Sequence, residues 1–221
     1  MPPKFPLPII YPITSGATTP QTTPDDPQFL AILKLVRAAV DSEVPLFQIR
    51  EKLLSARVLY ELVRRAVSIT RSSKTRLLLN DRSDVARAAG ADGVHLTAYS
   101  LRARVVRKTF GSEFLIGVST HSLAEARAAQ AAGADFVVFG PVFETESKRA
   151  FGPPQGVDKL GEVTRELGEF PVLAIGGITL ENVAECFEVG SVGIAGISLL
   201  NLAENLNNIV ETIRHKFNNA T

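Results

Sequence analysis

The sequence predicts a single (βα)₈ barrel of the α/β class, and three observations carry that expectation. Short apolar runs alternate with amphipathic stretches along nearly the whole chain. A seven-residue phrase, AAGADGV at 88–94, returns as AAGADFV at 131–137, each time where a helical stretch gives way to an apolar run. Polar and charged residues gather just after the apolar runs, at the strand ends where this fold builds its sites.

In chain order the strand candidates are 9–14, 46–50, 76–80, 93–96, 114–119, 136–140, 172–176 and 193–197. Each is a few residues long, rich in Val, Ile, Leu or Phe, and bounded by Gly, Pro, Asp or Asn. Continuous apolar runs suit strands covered on both faces, as in a parallel sheet. The amphipathic stretches between them are clearest at 29–40, 56–70, 101–110, 123–132, 180–189 and 202–217. Ser122 with Glu125 reads as a capping box opening one of these helices. Eight strands alternating with eight helical segments is the barrel pattern; a doubly wound open sheet, the main competitor, usually has fewer strands.

Within the repeated phrase, Gly90 and Gly133 sit where a helix ends and a left-handed residue turns the chain into a strand. Gly190 takes a similar place before the last strand. These turns fall at the amino ends of strands, the face tied to stability, so Asp92 and Asp135 read as structural.

The length of 221 residues and mass of 23.8 kDa suit one domain over 1–221, with residues 1–8 as an extension and 15–27 as a flexible loop. That Thr- and Pro-rich loop is either plain surface or a flap over the carboxyl face. A net charge of +1 gives no global attraction to nucleic acid or to a membrane surface. No apolar run suits a signal peptide or a membrane span. Cys186 is the one cysteine, which excludes an intrachain disulfide and fits a reducing cytoplasm. Oligomeric state is open, a homo-oligomer included.

The chemistry rests on strand-end residues. Gln48 and Arg50 are two apart in an extended run and share a face, with Lys52 just beyond. Burying them without an anionic or polar partner is costly, so they suit ligand binding; an internal salt bridge with Glu51 is the alternative. Asn80-Asp81-Arg82 ends the third strand, where Asp81 either caps the next helix or ligates Mg²⁺ beside substrate phosphate. His121 and His95 follow the fifth and fourth strands, each as acid–base group or as packing; His215 belongs to the surface. The loop after the sixth strand carries Thr145, Ser147, Lys148 and Arg149 between Gly/Pro boundaries and suits a phosphate lid, or else is a solvated charged loop. Gly176-Gly177 ends the seventh strand and opens a helix whose amino terminus favours an anion, and Gly196-Ile197-Ser198 ends the eighth. Phosphate held after strands seven and eight recurs in this fold.

With these motifs in place the chain resembles the thiamine phosphate synthase family, together with the related thiazole tautomerases, over about residues 9–200. The carriers are Gln48-Ile49-Arg50-Glu51-Lys52, Asn80-Asp81-Arg82, the segment 91–96 (ADGVHL), Gly117-Val118-Ser119, Gly140-Pro141-Val142-Phe143, Gly152-Pro153-Pro154 and Ala174-Ile175-Gly176-Gly177-Ile178. The resemblance implies a synthase joining hydroxymethylpyrimidine diphosphate to a thiazole phosphate with release of pyrophosphate. It implies that Gln48, Arg50, Lys52, Asn80, Ser119 and Lys148 hold the pyrimidine diphosphate, Lys148 and Arg50 acting catalytically, and that Asp81 ligates Mg²⁺. Thr145, Ser147, Gly177, Ile197 and Ser198 would bind the thiazole phosphate. Two departures stand out: Thr97-Ala98-Tyr99-Ser100 lacks the acid expected as a second Mg²⁺ ligand, and Glu144 replaces a usual proline. The tautomerase branch is the second reading, with His121 as acid–base catalyst, and a catalytically idle, ligand-binding barrel is the third.

Overall fold

The structure, a computed structural model, describes residues 5–145 and 153–220. Eight parallel strands alternate with eight helices: β1 (Ile9–Pro12), α1 (Pro27–Asp41), β2 (Leu46–Ile49), α2 (Ala56–Thr70), β3 (Arg76–Asn80), α3 (Ser83–Ala89), β4 (Gly93–Leu96) and α4 (Ala103–Phe110). The second half follows with β5 (Leu115–Thr120), α5 (Leu123–Ala131), β6 (Phe136–Phe139), α6 (Gly156–Leu167), β7 (Val172–Ile175), α7 (Val183–Glu188), β8 (Gly193–Gly196) and α8 (Leu206–Ala220). All eight strand candidates are strands, each trimmed or shifted by one or two residues at most.

The strands pair in the order β1-β8-β7-β6-β5-β4-β3-β2. The seam between β1 and β2 closes through a single parallel bridge, Ile13 to Gln48. Thr14 N–H donates to the Gln48 carbonyl at 3.0 Å, and Arg50 N–H donates to Thr14 Oγ1 at 2.8 Å. The sheet is therefore a barrel.

Alternation along each strand explains the continuous apolar runs. One set of side chains, including Tyr11, Leu46, Leu78, Phe136, Val138 and Leu173, fills the barrel interior. The alternate set, such as Ile10, Phe47, Leu77, Val137 and Ala174, packs beneath the helices. Both faces are dry, so the period of two is hidden in the sequence.

The repeated phrase has the anticipated role. Gly90 and Gly133 are left-handed, at φ 81° and 86°, and end α3 and α5. Asp92 accepts from Leu77 N–H and Arg76; Asp135 accepts from Ile116 N–H at 2.7 Å and from Arg107 at 2.7 Å. Each acid thus ties the amino end of its strand to the strand before it or to an adjoining arginine. Burial pushes the Asp135 carboxyl above the ordinary carboxylate range, opposed by the Ile116 N–H and by Arg107.

Three helices start later than the sequence suggests, α4 among them at Ala103 rather than 101. α7 begins at Val183 rather than at 180, because Asn182 accepts from Thr179 N–H and donates to the Gly177 carbonyl, holding residues 177–182 in a turn. α8 begins at Leu206 rather than 202, because Asn201 donates to the carbonyls of Ile13 and Ile197 and pins that segment to the barrel rim. The capping box is formed in modified register: Ser122 Oγ accepts from Glu125 N–H, while the Glu125 carboxylate accepts from His121 N–H, one residue earlier than expected. No described helix is long and apolar enough to cross a membrane.

Candidate active site

Cavities open at the carboxyl ends of the strands, among them one of about 470 Å³ between α4 and α5 that includes Thr97, Ser100 and Ser119; two others hold most of the strand-end polar residues. The first, about 260 Å³, lies over β2–β4 and is lined by Glu51, Lys52, Asn80, Asp81, Arg82 and Thr97 among others. The second, about 210 Å³, lies over β5–β8; Ser119, His121, Thr145, Gly177, Ile197 and Ser198 all face it.

Gln48 and Asn80 lie side by side at the top of the barrel interior. Gln48 Nε2 donates to Asn80 Oδ1 at 3.2 Å, and the side-chain Oε1 of Gln48 is buried with no partner among the described residues. A buried orphan acceptor is costly, and a ligand donor such as an exocyclic amine would satisfy it. Arg50 is half-buried, with its guanidinium close to Gly16 of the loop after β1. The Arg50–Glu51 salt bridge, the structural alternative for this motif, is not formed. Glu51 is buried and accepts from Gly16 N–H, Thr18 N–H and the Thr18 hydroxyl, the last at 2.6 Å. Sequence reasoning gave Glu51 no such role; it anchors the start of the 15–27 loop beside Arg50.

Asp81 is left-handed, at φ 65°, one of two non-glycine residues so placed among those described. Its side chain does not cap α3, whose N-cap position is Arg82 and carries no side-chain cap bond. Only the Asp81 backbone engages its neighbours, N–H to the His95 carbonyl and carbonyl to Ser83 N–H, both at 2.9 Å. Arg82 turns instead to Asp84. The exposed Asp81 carboxylate therefore points to no described donor at the mouth of the first cavity.

Among the described residues no group of three or more His, Cys, Asp or Glu is arranged as a metal cage. The only acids lining the first cavity are Glu51, committed to the loop, and Asp81. Ser100 Oγ accepts from Thr97 N–H at 2.9 Å; the described acid that shares a cavity with Ser100 is Glu125, whose carboxylate accepts from His121 N–H. One uncommitted carboxylate fits magnesium, which keeps several waters and completes its shell with substrate phosphate oxygens. It does not fit an all-protein calcium or zinc cage.

In the second cavity the N–H groups of Gly177 and Ser198 donate to no described residue. Gly177 is at φ 64°, and a Cβ there would stand 2.4 Å from the Glu144 carbonyl, so the two loops meet at backbone distance. Because α7 starts only at Val183, the Gly177 amide belongs to a turn rather than to a helix terminus, contrary to expectation. Ile175, Ile178, Ile194 and Val138 supply apolar walls. His121 Nδ1 lies 2.5 Å from the Gly140 carbonyl. A carbonyl only accepts, so Nδ1 carries the proton and Nε2 is the open atom of the neutral ring. Ser147 and Lys148 lie outside the described residues, as do Glu146, Arg149 and Gly152 of the same loop.

The two other histidines separate cleanly. His95 is buried inside the barrel, and that burial pulls its pKa down to about 3, so the ring is held neutral near neutral pH. His215 is exposed on α8. Ser119, expected with the pyrimidine-binding group, lines the second cavity and reaches back to His95, whose neighbour in register is Asn80. It bridges the two halves of the site.

The chain matches the family model described as thiamine monophosphate synthase over residues 18–200. It is 47% identical over 169 residues to a Geobacter sulfurreducens protein provisionally named thiamine-phosphate synthase, covering 76% of this chain and 79% of that one. A thiamine-phosphate synthase of a Roseiflexus species is 40% identical over 168 residues, covering 76% of this chain and 71% of the relative. Among solved structures, a thiamine phosphate pyrophosphorylase from Pyrococcus furiosus superposes with a TM-score of 0.78 at 30% identity, covering 96% of each chain. A 4-hydroxy-2-oxoglutarate aldolase, at 19% identity and a TM-score of 0.66, shares the barrel alone; it covers 96% of this chain and 95% of that one.

Proposed function

This chain belongs to the thiamine monophosphate synthase family, and from that premise we propose how its barrel works as a transferase joining hydroxymethylpyrimidine diphosphate to a thiazole phosphate. One observation carries the reading: two cavities on one rim, the first lined by cations and an uncommitted acid, the second by free amides and apolar walls. They suit two phosphorylated heterocycles held side by side.

In this reading Arg50 and Lys52 receive the diphosphate, and Lys148 joins them from the loop after β6. Gln48 and Asn80 hold the pyrimidine, the orphaned side-chain Oε1 of Gln48 accepting from its amino group. The amides of Gly177 and Ser198, with the hydroxyls of Thr145, Ser147 and Ser198, hold the thiazole phosphate against Ile197. Asp81 would hold Mg²⁺, which when bound neutralises charge on the departing pyrophosphate. The methylene C–O bond breaks with its electron pair leaving on pyrophosphate. The aminopyrimidine delocalises the resulting cation, and the thiazole nitrogen supplies the pair for the new C–N bond. The side chains here fix positions and stabilise charge, and no protein nucleophile is needed.

The geometry of His121 favours a second activity on the same rim, proton transfer on a thiazole carboxylate phosphate, since its open Nε2 belongs to a residue of the thiazole cavity. Purified protein given Mg²⁺ and both substrates is expected to form thiamine phosphate. Lys148→Ala should lower turnover strongly and His121→Ala much less. Pyrophosphate release at background across a Mg²⁺ titration would sink the synthase reading. The reverse mutant pattern, with proton exchange on the thiazole, would install the tautomerase. Ligand binding with neither reaction would leave an idle barrel.

A further inference from the structure

Three polar side chains, the buried Tyr11 and His95 and the half-buried Ser119, cross the barrel interior from β1 to β5. The Tyr11 hydroxyl lies 3.4 Å from His95 Nδ1, and His95 Nε2 lies 2.9 Å from Ser119 Oγ. Tyr11 and His95 are almost wholly buried, and both rings pack against Phe136, at centroid distances of 5.5 and 6.1 Å. The chain is built into the strands. At Gly117, directly across from His95 in register, a Cβ would stand 2.3 Å from the Phe136 ring and 2.7 Å from His95 Nδ1. The glycine two residues before Ser119 therefore makes room for the imidazole.

Proton accounting orients this chain. An imidazole so buried stays neutral, with one N–H donor and one acceptor nitrogen. If Nδ1 carried the proton it would point at the Tyr11 oxygen, and the phenolic O–H would be left in an apolar core with no described acceptor. If Nδ1 is bare, Tyr11 donates to it, Nε2–H donates to Ser119 Oγ, and every donor in the interior is used. The serine proton then has no acceptor in Tyr11 or His95, and Ser119 lines the second cavity, toward which it can turn.

We propose that His95 is a positioning residue: backed by Tyr11, it donates to Ser119 Oγ and so fixes the serine hydroxyl as a donor toward the bound substrate. What Ser119 donates to, an oxygen or ring nitrogen of the pyrimidine diphosphate, rests on the synthase reading. The relay itself does not. Its logic is that a hydroxyl free to rotate offers either a lone pair or a proton to a ligand, whereas one already accepting from Nε2–H meets an electron-rich ligand with its proton.

Two measurements test this. Nitrogen-15 correlation spectra of the imidazoles, with the His95 signals assigned by their loss in His95→Gln, should show His95 protonated at Nε2 and bare at Nδ1. Tyr11→Phe should weaken that preference. A His95 ring protonated at Nδ1 overturns the proposal whatever the enzyme's activity. Kinetics then read the consequence. His95→Leu should lower kcat/KM for the pyrimidine diphosphate about tenfold to a hundredfold, the scale of one hydrogen bond to a charged group. His95→Gln, which can still offer an amide N–H, should recover most of the loss. In a Ser119→Ala background His95→Leu should add less than about twofold, since its target is gone. An equal loss in both backgrounds, or a well-folded His95→Gln as poor as His95→Leu, overturns the proposal. A parent protein with no turnover at all counts against the synthase reading instead, and the tautomer then decides the relay by itself.

Discussion

The two ends of the barrel use the same residue types to opposite effect. At the amino end Asp92 and Asp135 each accept from a backbone N–H and an arginine, and the repeated Ala-Gly-Ala-Asp phrase sets both in the same place. At the carboxyl end Asp81 takes a left-handed backbone and engages no described side chain, and Gln48 keeps a buried side-chain Oε1 without a described partner. An acid whose bonds are all internal stabilises the fold. An acid or amide left with open valence next to a cavity is available to a ligand. Chemistry alone does not separate Asp92 from Asp81; the end of the strand does.

The sharpest break in this comparison comes from exchanging charge for amide at Asp81. Asn is, with Asp, the non-glycine residue that best tolerates a left-handed backbone, so Asp81→Asn keeps the local conformation. Stability is expected within about 0.5 kcal/mol of the parent. Turnover should fall about a hundredfold or more, with weaker response to Mg²⁺, the size seen when one charge-stabilising group is removed from a transition state. A variant that unfolds earlier yet turns over normally would move Asp81 to the structural class.

The mirror experiment is Asp135→Ala. Arg107 keeps its bonds to the carbonyls of Gly111, Ser112, Phe114 and Gly133, so the main casualty is the buried Ile116 N–H. Urea unfolding should report a loss of about 2 kcal/mol, the cost of one buried donor left unsatisfied. Activity at saturating substrate should be unchanged. A turnover defect out of proportion to the stability loss would mean that the two ends are coupled.

Much of this contrast was legible in the residues. The eight strands stand out because both faces are buried, and the Gly-Ala-Asp turns announce the amino end through their left-handed glycines. Of the strand-end residues, Asn80 and Asp81 line the first cavity and Gly177 and Ser198 the second, while Gln48 is buried in the barrel interior and Arg50 lies near Gly16. What stayed hidden depended on single side chains reaching across the chain. Asn182 and Asn201 delay α7 and α8 through bonds to carbonyls that no local pattern reveals. Glu51, between two cations, gave no sign of turning to Thr18, thirty-three residues away in sequence. His95 was ambiguous because periodicity could not say which face of β4 lines the barrel. A signal was present all the same: Gly117 is a missing side chain in the neighbouring strand, at the register where an imidazole needs space.

His95 is also where the two ends meet, buried like an amino-end residue yet bonded to a serine of the rim, and it yields the gentlest test. Unfolded, its imidazole titrates near 6.5; folded, burial holds the pKa to about 3, with Tyr11, Phe136 and Ser119 around it and no charged side chain bonded to the ring. Above pH 6.5 both states are neutral and the full stability is present. As pH falls from 6.5 toward 3, the unfolded chain takes up a proton that the folded protein refuses, so stability is lost on acidification. The slope should approach about 1.4 kcal/mol per pH unit. Carboxylates titrate in the same window, so the quantity to measure is the difference between the parent and His95→Gln, which carries no titrating ring. That difference should be flat above pH 7 and narrow in the variant's favour between pH 6 and 4.5. A flat difference throughout would show that the histidine finds solvent or a charge partner, and would place it with the open groups of the carboxyl rim.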